Sequence, residues 1–180
     1  MRILFLGNNK LAVDILSWLC VRSSDQVVGL FVQDTKKPLC EKDLIKVAGL
    51  LPSYIFYDSE LESIAALERI KALGADVAVS VGFRNILKPS FLNLFPKGVL
   101  NLHTSYLPNH KGASPNIWPI VEGSPAGVTL HLINAGIDTG DILAQVETPV
   151  LPEDTGQSLY CKLAKVAHVL FKENWPLFAE

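Results

Sequence analysis

Short apolar runs recur along this chain and alternate with stretches of helical spacing. That alternation constrains the fold more than any other feature. A continuous apolar run bounded by turn residues suits a strand buried on both faces, and repeated strand–helix units lay such strands side by side in a parallel sheet. The first run covers residues 3–6 and ends at Gly7; Leu11, Ile15, Trp18 and Leu19 then recur at helical spacing. Further strands are expected over 27–32 and 75–81. Between them, 60–73 reads as a helix through Leu61, Ile64, Ala65 and Leu73, and Gly74 stands where a left-handed C-cap is needed.

More strands are expected over 99–103, 127–133 and 142–150. In the last, Gln145 and Glu147 alternate with Val146 and Thr148, which predicts one wet face and antiparallel pairing. Ser114 and Pro115 fit the N-cap and first position of a helix running to about Glu122. The closing helix is expected over 155–174, with Asp154 and Gln157 at its N-cap and N3 and with Pro176 ending it. The fold class is therefore α/β: Rossmann-like, three-layered, with a mostly parallel central sheet and an antiparallel part near the C-terminal end. No repeat or linker divides the 180 residues, so 1–180 is expected to be one catalytic domain.

Composition narrows the class. Hydrophobic residues make up 49% and charged residues 19%, which excludes a disordered polymer. With Lys plus Arg at 16 and Asp plus Glu at 18, the formal charge is −2, and nothing electrostatic favours nucleic acid as a partner. No apolar run approaches the roughly 20 residues that span a bilayer. The first apolar run is too short for a secretory segment, since Asn8, Asn9 and Lys10 interrupt it. Cys20, Cys40 and Cys161 form no metal-ligand spacing and read as reduced thiols, buried or incidental. The expectation is a cytoplasmic protein without a membrane or a metal.

Two segments can carry chemistry. Gly7-Asn8-Asn9-Lys10 joins a strand to a helix, where backbone amides can meet an anion; it lacks the GxGxxG spacing, and a plain tight turn accounts for it equally well. The second is Asn101-Leu102-His103-Thr104-Ser105-Tyr106-Leu107-Pro108, followed later by Gly136-Ile137-Asp138-Thr139-Gly140. Residues 101 and 103 share one face of a strand, at the carboxyl end where open α/β sheets bind ligands. Asp138, in a Gly-flanked loop, can close back onto the imidazole. Such a cluster suits acyl transfer to an amine: the imidazole takes a proton, the amide donates to an oxyanion, and the carboxylate orients the ring. Polar residues capping a strand end are the alternative.

The stretch from Gly98 to Gln145 resembles the signature of the N10-formyltetrahydrofolate-dependent formyltransferases, and the likeness continues diffusely from Met1 to the final helix. Within that family the turn Tyr106-Leu107-Pro108 with residues 112–118 is most similar to the enzymes acting on nucleotide-linked amino sugars. The resemblance implies formyl transfer from N10-formyltetrahydrofolate to a primary amine, with His103 as general base, Asn101 polarising the formyl oxygen and Asp138 supporting the histidine. It also implies a folate pocket drawn from two loops. One comprises Phe83, Arg84, Asn85, Ile86 and Leu87, with contacts at Arg84 and Asn85 mainly through backbone; the other comprises Ile137, Asp138 and Gly140. Glycinamide ribonucleotide and methionyl-tRNA are alternative acceptors, and a folate-binding module without turnover is a third reading.

Candidate substrate contacts are Asn8, Asn9, Lys10, Ser105 and Asn116. Each has a plainer account: Ser105, like Thr104, as a hydroxyl capping backbone groups, and Asn116 as part of a helix start. Trp118 reads as core rather than as a stacking platform. His110 reads as an exposed loop residue, His131 as facing out or satisfied within the sheet, and His168 as having no evident role. The half-polar strand near Gln145 and the closing helix are candidate interfaces for a homodimer.

Overall fold

The computed structural model describes residues 1–33 and 39–180, which fall into two compact units, Met1–Leu100 and Asn101–Glu180. Seven strands and six α-helices are present among the described residues: β1 Arg2–Gly7, α1 Lys10–Cys20, β2 Gln26–Val32, α2 Glu41–Ala48, β3 Ile55–Tyr57, α3 Ile64–Ala72, β4 Val77–Val81, α4 Pro89–Leu92, β5 Val99–His103, α5 Trp118–Glu122, β6 Ala126–Leu132, β7 Ile142–Thr148 and α6 Gly156–Ala179.

In the first unit the hydrogen-bonded order is β3-β2-β1-β4, and every pairing is parallel. Ile3, Leu4, Phe5 and Leu6 are wholly buried, as a continuous apolar strand requires. Each such side chain contributes roughly 1.5–3 kcal/mol on leaving water. Phe31 stacks on Phe56 at 5.3 Å and meets Phe83 and Phe91 edge-on at 6.1 and 5.8 Å. Gly74 has φ +59°, the left-handed conformation expected of it. The carbonyls it and Leu73 leave free are taken up by Arg2, whose Nε and Nη2 donate to Gly74 and Leu73 at 3.0 and 2.6 Å.

In the second unit β5, β6 and β7 follow in order, and β6–β7 pair antiparallel from Ala126 opposite Thr148 to His131 opposite Ile142. Parallel pairing early and antiparallel pairing late is the α/β, Rossmann-like arrangement that the strand–helix alternation predicts. Helix α6 packs on β6 and β7 through Leu159, Leu163, Ala167, Leu170 and Phe171, all buried.

Several boundaries differ from expectation, each for a local reason. Helix α3 starts at Ile64 because Ser63 Oγ caps Ala66 N–H; Glu60 sits in a preceding 3-10 turn, where it accepts from Tyr57 N–H at 2.9 Å. Ser114 caps no helix. Its φ is +55°, and the five-residue α5 begins only at Trp118 with Pro119 in its first turn. In α6 the N-cap is Thr155 with Ser158 at N3, one residue later than the pair Asp154 and Gln157. Pro176 does not stop that helix, although a mid-helix proline removes a hydrogen bond at about 3 kcal/mol. Fully buried Trp175, stacked on Phe171 at 5.4 Å and packed against Phe178 at 5.9 Å, anchors the final turn. The alternation expected in β7 is broken: Val146 and Glu147 are both exposed, and Gln145 is half-buried. Strand β3, of three residues, and helix α2, of eight, are elements that the sequence analysis does not anticipate.

Candidate active site

The second unit brings Asn101, His103 and Asp138 together. Strand β5 is buried at Leu100 and Leu102 and turns Asn101 and His103 to the opposite face, where both are half-buried. Asp138 arrives from the loop after β6 with φ +46°, a left-handed conformation that aspartate tolerates better than most residues. Its Oδ2 lies 3.5 Å from His103 Nε2 and accepts from Gly112 N–H at 2.8 Å. That bond ties the 136–140 loop to the turn following His110. The loop itself is tight: Thr139 Oγ1 donates to Asn134 Oδ1 at 2.8 Å, and a Cβ at Gly140 would strike the Leu132 carbonyl.

His103 Nε2 also faces the His110 carbonyl oxygen at 3.5 Å. Both groups around Nε2 can only accept, so the neutral ring carries its proton there and keeps a lone pair at Nδ1. Burial pushes the His103 imidazole below the ordinary histidine range, opposed by the Asp138 carboxylate and the His110 carbonyl, with nearby His131 adding to the downward push. Burial acts to raise the Asp138 carboxyl, but its contacts with His131, His103 and the Gly112 N–H outweigh that and hold it below the usual carboxylate range. A neutral base therefore stands beside an ionised carboxylate near pH 7.

Two further histidines border the cluster. Of its two readings, His131 follows the one satisfied within the sheet: it is wholly buried in β6, with Nδ1 2.9 Å from the Leu132 carbonyl oxygen and Nε2 3.1 Å from Asn101 Nδ2 and 3.6 Å from Asp138 Oδ1. Its position one residue before the end of a strand that precedes the Asp138 loop was the available signal. His110 is not an exposed loop residue. Its ring is largely enclosed, with Nε2 2.6 Å from Ser124 Oγ, and its carbonyl meets His103. Beneath the cluster, Thr129 Oγ1 donates to the Ser105 carbonyl at 2.8 Å and accepts from Leu107 N–H and from Gln145 Nε2. This buried network fixes the chain leaving β5.

The candidate substrate contacts fare differently. Asn116 Nδ2 donates to the Gly156 carbonyl at 2.8 Å, a tie to the start of α6. Ser105 is buried, with its Oγ lacking a hydrogen-bond partner. Trp118 is 47% exposed and is not core. In the first unit Asn9 is the N-cap of α1, accepting from Ala12 N–H at 2.9 Å, while Lys10 pairs with Asp14 at the surface and Asn8 is buried. The cysteines are not buried: Cys20 and Cys161 are exposed and Cys40 is intermediate.

The 83–87 loop follows β4 in the first unit. Gly82 precedes it with φ +65°, and a Cβ there would collide with the Asn9 amide. Asn85 Oδ1 accepts from Gln33 Nε2 at 2.9 Å, and Phe83 packs on Phe31. Leu87 turns into the core, whereas Ile86 is 72% exposed; on the second unit's loop, Ile137 is likewise 56% exposed. Arg84 is exposed. No helix among the described residues is long and apolar enough to cross a membrane.

Residues 1–174 match the family model described as Formyl transferase. A methionyl-tRNA formyltransferase from Synechococcus sp. is 37% identical over 187 residues, covering 97% of this chain and 56% of that protein. One from Trichlorobacter lovleyi is 32% identical over 182 residues, covering 96% and 56%. The chain thus spans about half the length of the curated relatives it matches. Among solved structures, glycinamide ribonucleotide transformylase 1 from Symbiobacterium toebii superposes with TM-score 0.83 at 26% identity, covering 99% of this chain and 87% of that one. The formyltransferase PseJ from Anoxybacillus kamchatkensis, in complex with UDP-4,6-dideoxy-4-formamido-L-AltNAc and tetrahydrofolate, has TM-score 0.68 at 32% identity, covering 99% and 76%. With its family model matched over nearly all of its length and a cluster of amide, imidazole and carboxylate at the end of β5, this chain belongs to the formyl transferase family.

Proposed function

We propose that this protein transfers a formyl group from N10-formyltetrahydrofolate to a primary amine. The observation that carries the reading is the convergence of Asn101, His103 and Asp138, with His131 and His110 closing around them. The folate supplies an activated one-carbon unit. His103 Nδ1, with its lone pair, accepts the proton that the amine loses on attack, and an N–H of Asn101 donates to the formyl oxygen as it gains charge. Asp138 steadies the imidazolium that results. A bond forms between the amine nitrogen and the formyl carbon, the bond to N10 breaks, and the proton held by His103 passes to N10.

Two segments are assigned to the folate. In the first unit it is the 83–87 loop, where Ile86 offers an exposed apolar side chain and Arg84 and Asn85 offer backbone groups. In the second it is the loop of Ile137, Asp138 and Gly140, with Ile137 exposed in the same way. Large apolar side chains left in water on short loops suit the face of a flat heterocycle, whose polar edge backbone groups can read.

For the acceptor we propose a nucleotide-linked amino sugar. The support is the likeness to PseJ, a formyltransferase seen with a UDP-linked formamido sugar, and the absence of any excess of positive charge. A second acceptor, methionyl-tRNA, is favoured by the names of the curated relatives. The test is a panel of amines incubated with 10-formyltetrahydrofolate and read by mass spectrometry for gain of one formyl group. Formylation of a nucleotide amino sugar supports the reading. Formylation of methionyl-tRNA alone would replace the acceptor, and no formylation of any amine would overturn the activity.

A further inference from the structure

Three side chains of the second unit form a line of contacts that formyl transfer does not use. Ser124 Oγ lies 2.6 Å from His110 Nε2, and His110 Nδ1 lies 3.8 Å from Glu122 Oε2. The Glu122 carboxylate can only accept, so the neutral ring carries its proton at Nδ1 and keeps a lone pair at Nε2. The Ser124 hydroxyl donates to that lone pair. The His110 ring is largely enclosed, whereas Ser124 is half-buried and lines a cavity of about 490 Å³. Among the described residues no hydrogen bond takes up the backbone N–H of Ser124.

A hydroxyl, an imidazole and a carboxylate in this sequence are the parts of a nucleophile with its base. The ring withdraws the proton as the oxygen attacks, and the carboxylate offsets the cation that forms. The cavity indicates what is attacked. Its walls include Pro119, Ile120, Pro125, Val150, Leu151 and Pro152, and its charged members, Glu147 and Asp154, are acidic. Such a lining disfavours an anion, and the volume lies within the range of about 300–1,000 Å³ that suits a small molecule. We propose that Ser124 is the nucleophile of a second site, which hydrolyses neutral esters of short carboxylic acids. Ser124 Oγ bonds to the ester carbonyl carbon while His110 Nε2 takes the hydroxyl proton. The bond from that carbon to the alkoxide oxygen breaks, and the same proton leaves with the alcohol. Water entering from the open side of the cavity then attacks the acyl-serine. His110 takes a proton from that water and returns it to Ser124 Oγ as the carboxylic acid departs. In both steps the backbone N–H of Ser124 is the donor available to the carbonyl oxygen as it gains charge.

The first test needs no turnover. An alkyl fluorophosphonate, which attaches to activated serines, should label the protein once, and peptide fragmentation should place the adduct on Ser124. His110→Gln should slow that labelling by roughly 10²–10⁴-fold, the usual span for losing a general base. The second test is hydrolysis of p-nitrophenyl acetate and p-nitrophenyl butyrate, with the rate in buffer subtracted. Ser124→Ala, confirmed as folded by circular dichroism, should abolish it. Glu122→Gln should lower kcat for the esters by about fivefold, the effect of one exposed charge at that range, with KM unchanged. Glu122→Asp should recover part of that loss, which a merely structural role would not predict. An unlabelled Ser124 in excess reagent, or wild-type ester hydrolysis by Ser124→Ala, would overturn the inference. A hydroxyl that only anchors the turn around His110 gives that first result, with no adduct and no ester cleaved.

Discussion

At the scale of the residue, His103 is held between opposing influences, and their signs give a pH dependence. Burial lowers its pKa, while the Asp138 carboxylate raises it. The net shift is downward, so the neutral base is populated from above pH 6.5 to somewhat below it, and the acid limb of kcat/KM should fall below pH 6.5. Removing the carboxylate with Asp138→Asn removes an upward influence and should move that limb to still lower pH, alongside a loss of rate. A limb that moved upward would contradict the role of Asp138. The same shift bears on stability: a histidine less easily protonated when folded contributes stability that is present above pH 6.5 and lost as pH falls toward the folded pKa. Period-two alternation along β5 is enough to put Asn101 and His103 on one face, so that pair is legible in the sequence. His131 is less legible: its place one residue before the end of β6, ahead of the Asp138 loop, is a signal, but the sequence does not say which strand lies beside it.

At the scale of the element, long patterned stretches were legible and short ones were not. Strand β1 and helix α6 declare themselves through many consecutive residues. Strand β3, of three residues, depends on its pairing with β2, which no local pattern encodes, and the turn from Ser114 to Ile117 depends on a left-handed Ser114 that its sequence does not signal. The start of α6 shows how a cap is read one residue early. Asp154 lies outside the cap, yet it holds the cap by accepting from Leu151 N–H, Ser158 Oγ and Lys162 at 2.8, 2.7 and 2.7 Å. The Lys162 hydrogen bond is the largest of the influences that bring its carboxyl down to about 2. A depressed carboxylate contributes stability that is fully present above its unfolded pKa near 3.9 and lost as pH falls through the folded value of about 2. Wild type and Asp154→Asn should therefore differ in thermal unfolding above pH 4 and converge as pH drops toward 2. Curves that stay parallel down to acid pH would contradict this account of the cap.

At the scale of the whole chain, the family assignment and the folate reading lead to a test independent of turnover. A ligand that binds only the native state stabilises it by mass action, so a stable folate analogue at about 100 times its Kd should add about 2.7 kcal/mol and raise Tm. Replacing exposed Ile86 with Asp should weaken that shift, because a charge there opposes an apolar ring face. No shift at saturating analogue would count against the folate loops. The acceptor was the least legible feature in the sequence. Formyl transfer needs only a few atoms in register, which residues 98–145 spell out, whereas recognition of a sugar, a ribonucleotide or a tRNA rests on surfaces that no short motif encodes.

The central claim is that an imidazole at position 103 carries the amine's proton. The most direct measurement is single-turnover formyl transfer from 10-formyltetrahydrofolate by wild type and His103→Asn, with matched circular dichroism spectra to confirm folding. The account predicts a fall of roughly 10²–10⁴-fold in the variant, the usual span for losing general acid–base help. A folded variant that transfers the formyl group at the wild-type rate would contradict it.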